Sequence, residues 1–238
     1  MKKTLIALMA LAGMASAADY TLETAWTADF GSQYLNADGT VKGYTTTLTS
    51  PGTFWDAAKL AVEGGAQTKS DGRIHMAGGN YGDFSSDFQL TLTGTLTSTT
   101  NGHISELKAG STGNWLCLGY TNGNLTLTGS GISAATSTGS ITTGTEYSFT
   151  LTKVGTTLTF AAGEVSVTAT LNSAYSGTID NLTIGGNTGE NERVPMLLES
   201  VAMSNVTIVP ESPAVPEPTT ATLSLLALAG LAARRRRK

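Results

Sequence analysis

The side chains most often used in catalysis are few and widely separated in this sequence. His75 and His103 are the only histidines, and neither has a second ligand at the spacing of a zinc site on a helix or a knuckle. We therefore predict that both are surface or turn residues. Cys117 is the single cysteine and lies between two leucines, which predicts a buried thiol on a strand and excludes an internal disulfide.

Glycoside hydrolysis would need two carboxylates placed across one sugar, about 5 to 9.5 Å apart. Glu190-Asn191-Glu192 is the only Glu-x-Glu segment, and the glycines and asparagines around it favour a solvated loop. The sequence also lacks the Gly-x-Ser-x-Gly nucleophile elbow. These residues predict no catalytic site, and we expect that the chain is not an enzyme.

Ligand binding without catalysis needs fewer groups, and the sequence offers candidates by residue type only. Exposed aromatic rings can stack on a sugar, although we expect core burial for each candidate. These aromatic candidates are Trp26, Trp55, Trp115, Tyr81 and Tyr120. Candidates for calcium ligands, by residue type only, are Asp83, Asp87, Asp180, Asn187 and Glu190. Neither set fixes a ligand-binding residue, and no metal or cofactor is assigned.

The first residues have the order of a secretory signal peptide. Lys2 and Lys3 form a basic start, an apolar stretch follows over residues 4–14, and Ala15-Ser16-Ala17 is a small-residue cleavage site. We predict a signal peptide over residues 1–17, cleaved by signal peptidase after Ala17. The mature chain then begins at Ala18 and is exported.

The last residues carry three adjacent signals. Pro216-Glu217-Pro218 follows a proline-rich stretch, residues 221–233 are mostly apolar, and the chain ends with Arg234, Arg235, Arg236, Arg237 and Lys238. Over residues 215–238 these features resemble a PEP-CTERM sorting domain. The resemblance implies that an exosortase in the inner membrane recognises Val215-Pro216-Glu217-Pro218, removes the tail and delivers the product to the cell surface or extracellular matrix.

The length of the apolar stretch and the charges after it favour different roles for the tail. Thirteen helical residues span about 20 Å at roughly 1.5 Å each, which is less than a hydrocarbon core of about 30 Å. The five terminal cations can extend to the interface and act as a cytoplasmic anchor under the positive-inside rule. We predict a short transmembrane helix that holds the chain in the inner membrane transiently, after a linker at residues 210–214.

Residues 18–214 contain 7 Lys and Arg and 17 Asp and Glu, a net charge of −10. A surface of this charge repels phosphate backbones, so nucleic-acid binding is excluded.

Apolar and polar residues alternate through the body of the chain, residues 18–209. Residues 88–96, 147–151, 158–160, 165–169 and 182–184 show this period, which is typical of half-buried strands. Turn residues separate the strands at Asn36–Gly39, Asn122-Gly123 and Gly155. Thr53 to Glu63 departs from the pattern and predicts a short helix or connecting turn. The whole predicts an all-β, two-sheet antiparallel sandwich or jelly roll, with a barrel as the alternative.

A second resemblance covers residues 83–209. The segments at 88–92, 115–120, 147–151 and 182–186, followed by a closing strand at 201–208, are similar to a laminin-G/concanavalin A-like domain. This family implies a jelly roll that binds glycans or proteins at a rim or concave face, sometimes through calcium, and it has glycosidase relatives. The favoured interpretation is a non-catalytic surface protein, and the alternatives are a divergent glycosidase or a purely structural matrix component.

Overall fold

The computed structural model describes residues 19–35, 41–46, 53–56, 60–62, 65–68, 73–186 and 193–209. The predicted signal peptide, the sorting tail and the turn at Asn36–Gly39 lie outside these residues. The strands are β1 (Tyr20–Leu35), β2 (Val41–Thr46), β3 (Thr53–Asp56), β4 (Leu60–Val62), β5 (Gly65–Gln67), β6 (Ile74–Ala77), β7 (Phe88–Leu96), β8 (Gly102–Ala109), β9 (Asn114–Thr121), β10 (Asn124–Gly129), β11 (Ala135–Ser140), β12 (Glu146–Val154), β13 (Thr157–Ala162), β14 (Val165–Thr170), β15 (Asn181–Ile184) and β16 (Met196–Ile208).

The strands form two sheets. The first has the order β14-β13-β12-β7-β16-β1-β2, with β5 pairing to β16 and β4 to β5, and we call it the nine-stranded sheet. The second, the seven-stranded sheet, has the order β11-β10-β9-β8-β15-β6-β3. Neighbouring strands pair antiparallel in both sheets. The predicted two-sheet antiparallel sandwich is therefore confirmed.

Each sheet buries one face because apolar residues recur at every second position. Leu90 and Leu92 of β7 and Leu116 and Leu118 of β9 are fully buried in one continuous core. Phe149 and Phe160, on neighbouring strands, add aromatic area with ring centroids 6.5 Å apart. Burial of apolar area at roughly 25 cal/mol per Å² is what holds the two layers together.

The strands predicted from alternation are present, and the hairpin turn between β9 and β10 follows from its two central residues. Asn122 has φ 51° and Gly123 has φ 91°, the positive values that a tight two-residue hairpin requires. The prediction for residues 53–63 was wrong. Thr53–Asp56 and Leu60–Val62 are strands, since pairing to β6 and to β5 outweighs their weak local helix signals.

Candidate ligand-binding site

A groove of about 380 Å³ lies on the outer face of the seven-stranded sheet. Strand register explains why threonines, rather than the leucines of β9 and β10, line it, because those leucines point to the core. His103 pairs with Gly119, Gly119 with Thr126, and Thr126 with Thr136, so these residues form one row across four strands. The lining residues are Asn101, Gly102, His103, Thr121, Thr126, Thr128, Ala134, Ala135 and Thr136.

Gly119 lies in the middle of this row, where a side chain could not be accommodated. A Cβ at this position would overlap Thr126 Oγ1 and would lie 3.4 Å from the carbonyl oxygen of Gly102. The glycine therefore leaves room at the centre of the row. At the rim, Asn101 Oδ1 accepts a hydrogen bond from the backbone N–H of Asn122 at 2.8 Å, which fixes the position of the Asn101 side chain beside the groove.

A second row of polar side chains crosses the same face beside the groove. His75, Thr183, Glu106, Cys117 and Thr128 occupy aligned positions on β6, β15, β8, β9 and β10. The first four are buried, with exposed fractions of 6%, 0%, 8% and 2%. The prediction of a buried, strand-borne Cys117 is confirmed. The prediction that His75 is a surface or turn residue was wrong, because β6 is an inner strand of the sheet.

The protonated nitrogen of His75 can be assigned from its neighbours. Asn181 Nδ2 donates to Asp180 Oδ1 at 2.7 Å, which turns Asn181 Oδ1 toward His75 Nε2 at 3.0 Å. Because a carboxamide oxygen only accepts, Nε2 carries the hydrogen. Burial lowers the pKa of His75 below 6.5, against a raising contribution from the Asn181 hydrogen bond. The nearby Arg73 cation lowers this pKa further, and Glu106 raises it.

Thr183 lies between His75 and Glu106 in this row and is fully buried. Its Oγ1 has no hydrogen-bond partner among the residues that the structure describes. Buried hydroxyl groups in this state are uncommon in native proteins, and a ligand or bound water is an ordinary explanation for one. The row is thus a second polar feature of the same face.

The aromatic candidates differ in their surroundings. Trp26, Tyr81 and Tyr120 are buried in the core, as expected. Trp115 is half-buried and lies opposite Lys108 on β8, on the face that carries the groove. Trp55 pairs with His75 through its backbone, and its side chain lies outside the described part of the structure. Trp115 is therefore the aromatic candidate that the described structure leaves accessible.

The predicted calcium ligands are placed in separate local contacts. Asp83 accepts hydrogen bonds from Ser85, and Asp87 accepts one from the backbone of Gly155 at 2.7 Å. Asp180 accepts one from the backbone of Gly110 at 3.0 Å. Asn187 and Glu190 lie outside the described residues. Within the described ranges, no group of three or more His, Cys, Asp or Glu side chains is arranged to hold a metal ion.

Comparison with known proteins identifies the end of the chain. Residues 214–238 match the PEP-CTERM protein-sorting motif, which confirms the resemblance seen in the tail. The motif indicates an exported chain that passes through a membrane-anchored step on its way to the surface. Among the described residues, no helix is long and apolar enough to span a membrane. The roles of Ala17, of Val215 to Pro218 and of the five terminal cations stay predictions, as do the boundaries at 18–209, 210–214 and 215–238.

The body is similar to solved structures at low sequence identity. Trypanosoma rangeli sialidase in complex with 2,3-difluorosialic acid has a TM-score of 0.53 and 16% identity over 74% of this chain and 30% of that one. Mouse laminin α1 domains LG4-5 have a TM-score of 0.45 and 13% identity over 66% and 46%. The carbohydrate-binding module CBM66 from Bacillus subtilis has a TM-score of 0.43 and 16% identity over 65% and 92%.

The chain spans less than a third of the sialidase, and identities this low establish the fold alone. The two antiparallel sheets confirm the fold class expected from the laminin-G resemblance. No curated protein sequence matches the chain.

Proposed function

We propose that the chain is an exported surface protein that an exosortase sorts, and that its sandwich binds a glycan in the groove without hydrolysing it. The sorting half of the proposal is supported by the motif at residues 214–238. The binding half is supported chiefly by the lining of the groove. The two halves concern different parts of the chain and are tested separately.

The groove offers the groups that recognise a polyhydroxylated ligand. Hydroxyl groups of Thr126, Thr128 and Thr136, the amide of Asn101 and the imidazole of His103 surround one space. Each hydroxyl both donates and accepts, so together they can match sugar hydroxyls in several orientations. A volume of about 380 Å³ is in the range of small-ligand sites.

Trp115 supports the same assignment from the row beyond Cys117, where it pairs with Lys108. It lies two residues from Cys117 along β9, and Cys117 pairs with Thr128 of the groove. Two residues of strand correspond to about 7 Å. An aromatic ring at this distance is placed to stack on a second sugar of a bound chain.

Binding without hydrolysis is favoured by the carboxylates on this face. A glycosidase needs two of them facing one sugar. The lining residues of the groove are hydroxyl, amide, imidazole and small side chains. Glu106, in the neighbouring row, is 8% exposed, and its register neighbours are Thr183 and Cys117. The described groove thus has the groups to hold a sugar rather than to cleave it.

Glycan binding can be tested on an array of polysaccharides and oligosaccharides with two matched variants of the purified chain. Thr136→Met places a longer, uncharged side chain in the groove, whereas Thr168→Met places the same side chain on β14 of the other sheet. Both threonines are exposed and lie on edge strands. We expect Thr136→Met to abolish the array signal and Thr168→Met to retain it. Equal signals from both variants would exclude the groove, and reducing ends released from a bound glycan would establish hydrolysis instead.

Sorting can be tested by fractionating cells that express the tagged chain. We expect replacement of Pro216, Glu217 and Pro218 by alanine to hold the chain in the inner membrane with its tail attached. Pro210→Ala with Pro213→Ala is the control, because it removes prolines upstream without changing the motif. Surface delivery of the triple variant at the level of the control would refute the sorting proposal.

A further inference from the structure

Charged side chains are divided unequally between the two outer faces of the sandwich. Four Lys or Arg residues of the body have side chains that the structure describes, and one of them, Lys153, lies at the edge of the core and donates to the carbonyl oxygen of Ser86 at 3.0 Å. Lys42 lies on β2 of the nine-stranded sheet, and its side chain lies outside the described part of the structure. The other three, Arg73, Lys108 and Arg193, lie on or beside the outer face of the seven-stranded sheet. The same face carries both histidines of the chain.

Strand register and local contacts place each of these groups. Lys108 faces outward because its neighbours Leu107 and Ala109 are buried in the core. Arg193 forms a backbone bridge with His103, which lines the groove. Arg73 precedes the buried Ile74 and acts electrostatically on His75.

The end of this face near His103 brings two arginines together. A Cβ on Gly186 would lie 3.1 Å from Arg193 Cγ and 3.7 Å from Arg73 Cβ, so both side chains pass the same glycine. Arg193 is half-exposed, whereas Arg73 is 5% exposed. Arg193 is thus the guanidinium that a ligand in the groove can reach, and Arg73 adds positive charge behind it.

The opposite face has the opposite charge. On the nine-stranded sheet, Glu146 faces outward because Phe149 and Leu151 on the same strand face the core. Glu199 lies beside it, and burial, followed by the hydrogen bond and charge of the Glu146 carboxyl, raises the pKa of Glu199. Asp29 of β1 lies between the buried Ala28 and Phe30 and also faces outward. Of the four cationic side chains that the structure describes, the three outside the edge of the core thus lie on or beside the face that contains the groove, where Glu106 is a buried acid of the neighbouring row.

We propose that the glycan held in the groove is anionic, with its hydroxyls on the threonines and its acidic group at the end formed by His103 and Arg193. This inference rests on the glycan-binding function proposed above. A guanidinium matches the planar oxygens of a carboxylate or sulfate with two parallel hydrogen bonds. Cations focused in one groove attract such a ligand even when the rest of the surface repels it. Lys108, beside Trp115, provides a second cation one row further along the face.

The ligand class is tested by titrating the purified full chain with three soluble polysaccharides: alginate, which carries carboxylates, dextran sulfate, and uncharged dextran. We expect both anionic polymers to bind at least about tenfold more tightly than dextran, and their binding to weaken as NaCl rises from 50 to 300 mM, because salt screens exposed charges. Tighter binding of alginate identifies a carboxylate as the acidic group, and tighter binding of dextran sulfate identifies a sulfate.

The position of the acidic group is tested with charge-matched variants. Arg193→Gln and Thr168→Glu each lower the net charge by one, the first beside the groove and the second on the opposite sheet. We expect Arg193→Gln to weaken binding of the preferred polymer about five- to tenfold and Thr168→Glu to change it less than about twofold. If Arg193→Gln does not fold, Arg193→Lys tests the same position, because it keeps the charge but loses the two parallel hydrogen bonds, and we expect it to weaken binding as well.

The possible outcomes separate this inference from the function on which it rests. Dextran binding as tightly as the anionic polymers, with loss on Thr136→Met, would overturn the anionic ligand and leave glycan binding in place. Equal losses for Arg193→Gln and Thr168→Glu would show a general charge effect and overturn the assigned position. Absence of binding to every polysaccharide would overturn both the inference and the proposed function.

Discussion

We expect Gly94→Ala on β7, which adds a single methyl group, to cause a large loss of stability. It is buried and pairs with Leu198 of β16, next to the register shift between Leu198 and Ser200. A Cβ added at Gly94 would overlap the carbonyl oxygen of Leu197 and would lie 3.2 Å from both Leu197 C and Leu198 Cα. All three atoms belong to the backbone, so no side-chain rotation can relieve the contact.

The loss of stability expected for Gly94→Ala depends on the backbone of β16, which must move to accommodate the added Cβ. β16 lies between β7 and β1 in the nine-stranded sheet, so a shift of its backbone strains the hydrogen bonds on both sides. Overpacking in a core costs roughly 1–3 kcal/mol, and each weakened ladder bond adds about 1 kcal/mol. We expect a loss of about 3 to 4 kcal/mol in the free energy of unfolding. With an m-value of about 2 kcal/mol/M, the urea midpoint should fall by about 1.5 to 2 M.

Gly139→Ala is the matched control for this measurement. Gly139 lies on β11, and neither it nor Gly94 has a positive φ. The nearest atom to an added Cβ is Val165 Cγ2 at 3.3 Å, a side-chain methyl group that can move. We expect a change within about 0.5 kcal/mol, since alanine also reduces the entropy of the unfolded chain. A wild-type midpoint for Gly94→Ala, or equal losses for the two variants, would refute the assigned backbone contact.

Three further predictions concern charged and titrating side chains, each checked by urea unfolding. Lys153 is 3% exposed, and its Nζ lies 3.7 Å from Asp87 Oδ1. Lys153→Ala should therefore lower the free energy of unfolding by about 2 to 3 kcal/mol and Lys153→Met by about 1 kcal/mol, because methionine keeps the aliphatic packing. Equal losses for the two variants would contradict this. Because the pKa of His75 is lowered, its contribution to stability is present above pH 6.5 and is lost on acidification. His75→Gln should therefore reduce the fall in the urea midpoint between pH 7 and pH 5. Parallel pH profiles of the wild type and the variant would refute this prediction. Because the pKa of Glu199 is raised, its contribution to stability is present below pH 4.5 and is lost as the pH rises. Glu199→Gln should therefore raise the urea midpoint at pH 7 but not at pH 4. A higher midpoint at both pH values would exclude repulsion from Glu146 as the cause.

The strands and the turn between β9 and β10 were predictable because the residues that indicate each of them are adjacent in the sequence. Alternation at residues 88–96 and 165–169 fixes strands with one buried face, and the Asn122-Gly123 pair fixes the turn between β9 and β10. Residues 53–56 were not predictable in the same way. Their strand state depends on pairing with β6, about 20 positions away in the sequence, and no local pattern encodes that partner.

The candidate site was not predictable because its residues share a face only after the sheet order is known. His75 and Asn181 are 106 positions apart, yet they lie close enough for a hydrogen bond because β15 pairs with β6. In the sequence, His75 has no chemical partner nearby, and its neighbours Ile74 and Met76 identify only a strand. A polar residue flanked by two core residues nevertheless carries a usable signal. Its side chain must point to the opposite face of the sheet.

That signal recurs at Glu106, Lys108 and Thr126, each of which has a core leucine or alanine beside it. The alternation that predicts the core therefore also predicts the polar face, because the residues between the core positions point to the outer side of the sheet. What alternation cannot supply is the order of strands within the sheet, which decides whether two outward-facing groups are neighbours. The connection between Lys108 and Asn181 requires β15 to lie beside β8, and this placement depends on contacts across the whole body. A functional site built from rows across strands thus becomes visible only at the level of topology.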